Sequence, residues 1–379
     1  MIRSSPVGVS PQITMSINGA PINYNSLMSI ALDLEENKHD MCEFVMSGVP
    51  SRSITDFIDK NVFVRITTGA TMINEFYGTV FSSRPVATTS AGMVNNNLFQ
   101  EVKFTCFGCS WAMRGAQSRV WKNSTLVDVA TSMANTYGFS CDVPNDDLVF
   151  NTLVQAESDW HFLCRYADSM GYSVTVHGTH IHIFDPHRAK GRMISLHRLY
   201  APARTSPRPH PGQVITFDGD FANRVADGKY FDNVITVLPD SGGTFDVRTS
   251  DVQGFSEPAA FTTRLNLTAD SYNQADRMIQ ALYRSDYDYR ADSVTLGTAG
   301  MLPGGMATLD GYSTEFDGLW YVSGVRHDVK SGSFLSMGKL RRNSMDTLVD
   351  ESSAQFRPPP LPQQINGVWT STKKVTNAY

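Results

Sequence analysis

Apolar and polar positions alternate in short runs over the first third of the chain, as in ITMSING, SIALDLEE, NVFVRITTG and QEVKFTCFG. Gly, Asn, Ser and Pro separate these runs. An alternation of period two places successive side chains on opposite faces of a strand, and short strands at this spacing are typical of a barrel or a sandwich. We therefore predict a first antiparallel β-barrel over residues 1–118.

The pattern changes to a helical spacing within residues 119–187. Each of two apolar stripes begins after a residue that can cap a helix and ends at a glycine. The caps are Ser124 or Thr125 and Ser158, and the glycines are Gly138 and Gly171. The stripes are Leu126, Val129, Ala130, Met133 and Tyr137, then Phe162, Leu163, Tyr166, Ala167 and Met170. A strand-like run follows each helix, which predicts a small α+β domain.

The rest of the chain alternates between irregular and strand-like segments. Residues 188–213 are basic and rich in proline without any periodicity, which predicts a long surface connection. Alternation resumes over 214–345, with one amphipathic helix near 271–285, and predicts a second antiparallel β-barrel. Residues 346–379 contain RPPPLP and few core-forming residues, so we expect an extended tail that is ordered by a partner. The fold class is mainly β with an α+β insertion between two barrels.

The composition says more about the possible functions of the chain than about its fold. The 379 residues are 41% hydrophobic and 18% charged with a net charge of −5, which gives no whole-chain signature of nucleic-acid binding. Low charge leaves more surface for burial against partners. The N-terminus lacks the apolar region of a secretory signal, and we expect no membrane span. The five cysteines are scattered, which predicts reduced, mostly buried thiols and folding in a cytoplasm.

Four of the nine histidines lie in VTVHGTHIHIFDPH, residues 174–187. Gly178 and Thr179 suit a two-residue hairpin turn, which makes His177 and His180 cross-strand neighbours and puts His182 on the same face. Three imidazoles on one face could hold Zn²⁺ or Ni²⁺. We favour a solvated hairpin face, because the sequence has no HExxH motif or recognisable carboxylate partner and a hairpin tip excludes water poorly.

Other candidate sites have simpler structural explanations. Cys106 and Cys109 form a CxxC without the second pair of a zinc ribbon, and Cys106 continues the alternation of a core strand. The chain has no GxSxG, P-loop or GxGxxG motif. We interpret the basic segment 188–208 as a loop that faces solvent or a partner. We therefore expect no catalytic residues, no cofactor and no small-molecule substrate.

Two stretches resemble one protein family. The first, LVQAESDWHFLCRYADSMGYSVTVHGTHIHIFDP, is similar to a segment of phage tail and baseplate hub proteins, which include the late control D proteins and the hub part of type VI secretion spikes. The second, from GTAGMLPGG to MGKLRRN, is similar to the closing barrel of that family. The matching residues are Gln155, Glu157, Ser158, Asp159, Trp160, Phe162, Leu163, Arg165, Ala167 and Gly171, then Leu302, Pro303, Gly304, Tyr321, Val322, Val325, His327 and Arg341.

The resemblance implies a baseplate hub rather than an enzyme. In such a homotrimer, two similar barrels per subunit give six around a channel, which lets a six-fold tail tube meet a three-fold spike. The partners would be a tail tube or distal tail protein on one side and a spike or tip protein on the other, while phage DNA passes through without specific binding. We expect assembly in the host cytoplasm and a place in the virion. We expect no fused lysozyme or peptidase domain, because the segment 346–379 is too short for one.

Two other functions stay open from the residues alone. One is a metal-dependent hydrolase of the tail tip that works through His177, His180 and His182. The other is a carbohydrate-binding β module for attachment to the host.

The tail also carries candidate interaction residues, Ile365, Val368 and Trp369. They are apolar and have no local core to enter. Because aromatic anchors carry much of the energy at interfaces, we expect this segment to dock on a neighbouring subunit or on the spike.

Overall fold

The structure is a computed structural model, and strands dominate the residues that it describes, which confirms the mainly-β class. These residues are 11–23, 26–50, 54–68, 72–86, 92–94, 97–145, 148–186, 193–198, 211–221, 233–238, 243–248, 262–264, 269, 271, 274–275, 277–278, 281, 289–313, 316–342, 363–365 and 368–370. Among them, no helix is long and apolar enough to span a membrane.

The N-terminal alternating runs form the strands of the first barrel. They are β1 (Gln12–Ile17), β2 (Ala20–Pro21), β3 (Leu27–Glu35), β4 (Met41–Pro50), β5 (Asn61–Thr68), β6 (Met72–Pro85), β7 (Gly92–Val94) and β8 (Asn97–Gly108). Six of them pair antiparallel in the order β1-β5-β6-β8-β4-β3. In β5, Val62, Val64 and Ile66 are buried at every second position. Among the described residues no ladder joins β1 to β3, so the predicted first barrel is an antiparallel sheet that is open between these two strands; the name first barrel is kept for it.

The α+β unit follows the first barrel. Its elements are β9 (Arg119–Ser124), α1 (Leu126–Tyr137), β10 (Ser140–Asp142), β11 (Phe150–Gln155), α2 (Asp159–Ser169), β12 (Ser173–His177) and β13 (His180–Phe184). Thr125 caps α1 in a capping box with Asp128, and Gly138 ends the helix at φ +69°. Ser158 caps α2 by accepting from the His161 backbone N–H. Both predicted apolar stripes are largely buried, in one core with the β12–β13 hairpin.

The second barrel is closed. Its chain region holds β14 (Met193–Arg198), β15 (Gln213–Phe221), β16 (Asn233–Leu238), β17 (Gly243–Arg248), β18 (Thr262–Arg264), β19 (Tyr289–Leu296), β20 (Met306–Asp310), β21 (Gly318–Lys330) and β22 (Ser333–Arg342). Six strands pair in the order β21-β20-β14-β15-β19-β22, and β22 returns to β21. The other three, β16, β17 and β18, form a sheet of their own.

Part of the segment predicted as an irregular connection, 188–213, is a barrel strand. β14 pairs in parallel with β20 over its first five residues and with β15 at its end. Ile194 and Leu196 are buried in the barrel core. The alternation of Met-Ile-Ser-Leu-His is short. It lies between segments rich in arginine and proline, so it was not recognised as a strand in the sequence. The prediction of an irregular connection was wrong for Met193–Arg198.

The two barrels share one continuous sheet. β3 of the first barrel pairs antiparallel with β21 of the second, from Ser29 opposite Lys330 to Glu35 opposite Gly324. A backbone ladder of this length fixes the two barrels edge to edge, because every ladder hydrogen bond must break to separate them.

Two sequence predictions fall partly outside the described residues. In the predicted helix 271–285, the described positions 274–275, 277–278 and 281 are helical, and Ala275, Met278 and Ala281 are buried. The proline run lies outside. After it, β23 (Gln363–Ile365) and β24 (Val368–Thr370) pair with each other.

Candidate functional site

The histidine hairpin folds in the predicted register. His177 lies opposite His180, Val176 opposite Ile181 and Val174 opposite Ile183. Gly178 begins the turn at φ +61°, a conformation that favours glycine. The four aliphatic side chains are buried beneath the helices, so the histidines occupy the other face.

The rings of the three predicted histidines have different neighbours, and only His180 and His182 belong to one group of potential ligand atoms. The ring of His177 packs edge-on against Tyr77 of β6, with 6.4 Å between ring centroids. His180 begins β13 opposite His177 and His182 follows two residues later, both beside the strand β10. His180 Nδ1 is 2.9 Å from the Ser140 hydroxyl. His177 therefore contacts the first barrel, whereas the other two histidines face a neighbouring strand.

A carboxylate that the sequence analysis missed completes a group with these two histidines. β10 pairs in parallel with β13, which places Asp142 opposite His182. Asp142 Oδ2 is 3.3 Å from His182 Nδ1, and one ligand atom from each of Asp142, His180 and His182 lies within 4.8 Å of the others. The side chains of Asp142 and His182 are 68% and 46% exposed. Carboxylate oxygen and imidazole nitrogen are suitable ligands for Zn²⁺ and similar ions.

A second carboxylate of the α+β unit is buried. Asp159, in the first turn of α2, accepts hydrogen bonds from Gln155 Nε2 at 2.6 Å and from the Tyr137 hydroxyl at 2.8 Å. Arg119 Nη2 lies 3.2 Å from the same carboxylate. Burial first, and then the Asp159 hydrogen bond, raises the pKa of Tyr137 to about 12. Trp121 Nε1 donates to Gln155 Oε1 at 3.1 Å, which extends the network.

The loop between β3 and β4 connects three parts of the molecule. Glu36 is buried and accepts from the Tyr321 hydroxyl at 2.5 Å and from Arg341 Nη1 at 3.0 Å, both in the second barrel. Burial raises the pKa of Glu36 above its ordinary value despite Arg341. Asn37 exchanges two hydrogen bonds with the backbone of Val174 in the α+β unit, at 2.8 and 2.9 Å. This loop therefore fastens the first barrel to the other two parts.

No protein-family model matches the chain, and no curated protein matches it. Solved structures do. A tail protein from Neisseria meningitidis MC58 has a TM-score of 0.64 at 14% identity, covering 89% of this chain and 98% of that one. The 43 kDa tail protein of prophage MuSo2 from Shewanella oneidensis has a TM-score of 0.62 at 15% identity, over 89% and 99%.

A component of the E. coli type VI secretion system, structurally similar to the T4 bacteriophage tail proteins gp27 and gp5, has a TM-score of 0.55 at 10% identity. That alignment covers 87% of this chain and 77% of the other. The chain has the fold of phage tail proteins. The resemblance inferred from the two sequence motifs is confirmed at the level of the fold.

The residues of the first tail-protein motif hold α2 in place. Asp159 and Gln155 belong to the buried network, and Glu157 accepts from Arg165 Nε at 2.7 Å. Trp160 is buried and stacks on His39 of the β3–β4 loop with 5.0 Å between ring centroids. Burial lowers the pKa of His39 to about 4, so this ring is neutral near pH 7. These contacts fasten α2 to the elements around it.

The residues of the second motif are equally structural. His327 is buried in β21 and has hydrogen-bond partners at both ring nitrogens, the Ser336 hydroxyl at 2.8 Å and the Met301 carbonyl at 3.1 Å. Burial lowers its pKa to about 4. Gly304, at φ +80°, lets the turn approach Phe184, whose ring lies 3.1 Å from where a Cβ would stand, closer than an ordinary van der Waals contact.

The cysteines are free thiols, as predicted. Cys106 is a buried core residue of β8, and burial raises its pKa to about 12. Cys109 follows at the start of a 3-10 helix, Cys109–Arg114. A thiol with a raised pKa is a weak nucleophile and metal ligand at neutral pH.

Proposed function

We propose that the chain is a structural hub at the tip of a phage tail, in which three copies form a ring that joins the tail tube to a three-fold spike or tip. The observation that carries this proposal is the shared sheet, in which β3 and β21 join the open six-stranded first barrel to the closed six-stranded second barrel within one chain. Three such chains present six similar barrels, which matches a six-fold tube. Phage DNA passes through the central channel without specific binding.

The fold and the polar contacts between the three parts of the molecule support this role. The solved structures with the same fold include two tail proteins and a component of a type VI secretion system. The network around Asp159 and the loop around Glu36 use their polar groups to hold the three parts together, which suits a virion component that bears mechanical load. The protein assembles in the host cytoplasm and has no catalytic activity of its own.

The oligomeric state tests the proposal. Native mass spectrometry of the full chain, alone and with the tube protein, is expected to give the mass of three copies, and electron microscopy is expected to show a central opening. A stable dimer, or a chain that stays monomeric with the tube protein, would reject the hub.

The C-terminal segment is proposed as a strap between subunits. Ile365 and Val368 stand opposite each other where β23 pairs with β24, and Trp369 follows in β24. Docking of these residues on a neighbouring subunit or the spike would offset the entropy of ordering the tail. Deletion of 350–379 is expected to leave each subunit folded and to weaken the trimer or its attachment. A truncated protein that assembles and infects like the parent would reject the strap.

A metal-dependent hydrolase is the second candidate, because Asp142 supplies the carboxylate that the sequence analysis found missing. The site is open to water, which is unfavourable for such catalysis. Replacing His177, His180 and His182 together with Gln tests it. Loss of peptidoglycan hydrolysis from an active parent would establish the hydrolase, whereas an inactive parent would reject it.

A further inference from the structure

Asp142, His180 and His182 are brought together by a pairing between two strands far apart in sequence. The parallel ladder of β10 and β13 sets Ser140 opposite His180 and Asp142 opposite His182. Side chains at alternate positions of neighbouring strands share one face of the sheet, so the three potential ligands point to the same side.

The distances suit a first-row transition metal. Ligand atoms at roughly 2.0–2.2 Å from a tetrahedral Zn²⁺ lie about 3.3–3.5 Å from one another. Asp142 Oδ2 and His182 Nδ1 are already 3.3 Å apart. The third ligand atom, from His180, lies within 4.8 Å of both, so a modest side-chain rotation completes the set.

Both imidazoles are oriented by neighbours that are not ligands. The Ser140 hydroxyl, 2.9 Å from His180 Nδ1, can accept its proton and leave Nε2 with the lone pair. The ring of His182 stacks on Phe184 at 5.0 Å between centroids and an interplanar angle of 16°. Phe184 is itself buried. Such outer contacts limit the entropy that the ligands lose on binding a metal.

We propose that Asp142, His180 and His182 bind one divalent transition-metal ion, with Zn²⁺ as the natural probe. The ion cross-links β10, which follows α1, to the histidine hairpin. Three protein ligands leave a position for water. His177 takes no part, since its ring packs against Tyr77. The proposal goes beyond the hub function, because the metal would cross-link two strands within one chain and the hub function does not require it.

The full chain, freed of metal with a chelator, is titrated with zinc chloride, and bound zinc is measured by elemental mass spectrometry and calorimetry. We expect one zinc per chain and a rise in Tm of the metal-loaded protein. Asp142→Asn and His182→Gln are expected to weaken zinc binding at least about 10-fold, as loss of a ligand or its orienting partner does. His177→Gln is the matched control and is expected to bind like the parent.

Cobalt substitution gives a second readout, because the visible spectrum of bound Co²⁺ reports its nitrogen and oxygen ligands even where affinity is modest. A parent chain that binds no stoichiometric zinc or cobalt would overturn the site. The site would also be overturned if Asp142→Asn bound zinc like the parent while His177→Gln lost zinc binding. That result would assign the ion to the imidazoles alone. Neither of these metal-binding results tests whether the chain is a trimer, because the oligomeric state is measured separately by native mass spectrometry.

Discussion

Asp142 and Asp159 are two carboxylates of the same α+β unit with opposite surroundings. Asp159 is fully buried, and Gln155, Tyr137 and Arg119 direct donor groups at its two oxygens. The side chain of Asp142 is 68% exposed and has His182 beside it. A buried carboxylate surrounded by protein donors has little capacity left for a ligand, whereas an exposed carboxylate beside imidazoles can accept a cation.

The comparison teaches that the motif residues most easily recognised in the sequence are not the ones available for chemistry. Gln155, Asp159 and Trp160 carry the family resemblance, yet they are buried and bonded to the rest of the unit. The exposed group at Asp142 belongs to no motif.

The largest expected effect is that of Asp159→Ala. Asp159 is fully buried, although Arg119 is 29% exposed, so the loss comes mainly from the Gln155 and Tyr137 donors that are left without an acceptor, at about 1–3 kcal/mol for each. Urea unfolding of the variant measures this loss in the free energy of unfolding. Glu157→Ala is the matched control, since Glu157 and Arg165 are about one-third exposed and such pairs contribute about 0–1 kcal/mol. Equal losses in the two variants would contradict the contrast.

Histidines also differ between buried and exposed positions. The buried His327 is expected to make the folding stability sensitive to acid. Its pKa is lowered by burial from 6.5 to about 4, so the unfolded chain binds a proton at a pH where the folded chain does not. Stability is therefore lost as the pH falls between these two values. The loss from about pH 7 to about pH 4.5 amounts to roughly 2–3 kcal/mol by proton linkage.

His327→Gln tests this assignment, because an amide cannot take up the proton. The difference in unfolding free energy between the two pH values is expected to shrink by that amount in the variant, although the variant is less stable at neutral pH. An unchanged pH dependence in His327→Gln would show that other groups cause the acid sensitivity.

A smaller effect is expected at Asn37, which is half-buried and connects the first barrel to the α+β unit. Its backbone has φ +59°, and its Oδ1 accepts from the Val174 N–H at 2.9 Å. Asn37→Gly keeps the backbone conformation and loses one hydrogen bond, which costs about 1 kcal/mol. Asn37→Ala adds about 1 kcal/mol of left-handed strain. Thermal and urea unfolding should show that Asn37→Ala is less stable than Asn37→Gly. The reverse order of stability would contradict this account.

Local patterns were sufficient to predict the hairpin and the helices. The glycine turn and the alternation around it set His177 opposite His180, and Ser158 and Gly138 mark helix ends because capping is a local interaction. Strand β5 and the core position of Cys106 were predictable in the same way, since each follows from the alternation of its immediate neighbours.

Pairings between distant segments could not be read in the same way. Asp142 reaches His182 only through the parallel pairing of β10 with β13, and no short-range signal specifies that register. The ladder of β3 with β21 joins residues about 300 positions apart, as Glu35 and Gly324 are. The donors of Asp159 likewise come from three different elements. The candidate metal group was therefore predicted with two of its three members.

The smallest expected effect completes the comparison at Asp142. In chelator-treated protein, Asp142→Asn is expected to change the free energy of unfolding by no more than about 0.5 kcal/mol, because an exposed carboxylate–histidine pair contributes little. Urea unfolding without and with zinc measures both states. With zinc, the parent should gain stability that the variant lacks, since an ion that binds only the folded chain stabilises it. A metal-free loss as large as that of Asp159→Ala would instead make Asp142 a core residue.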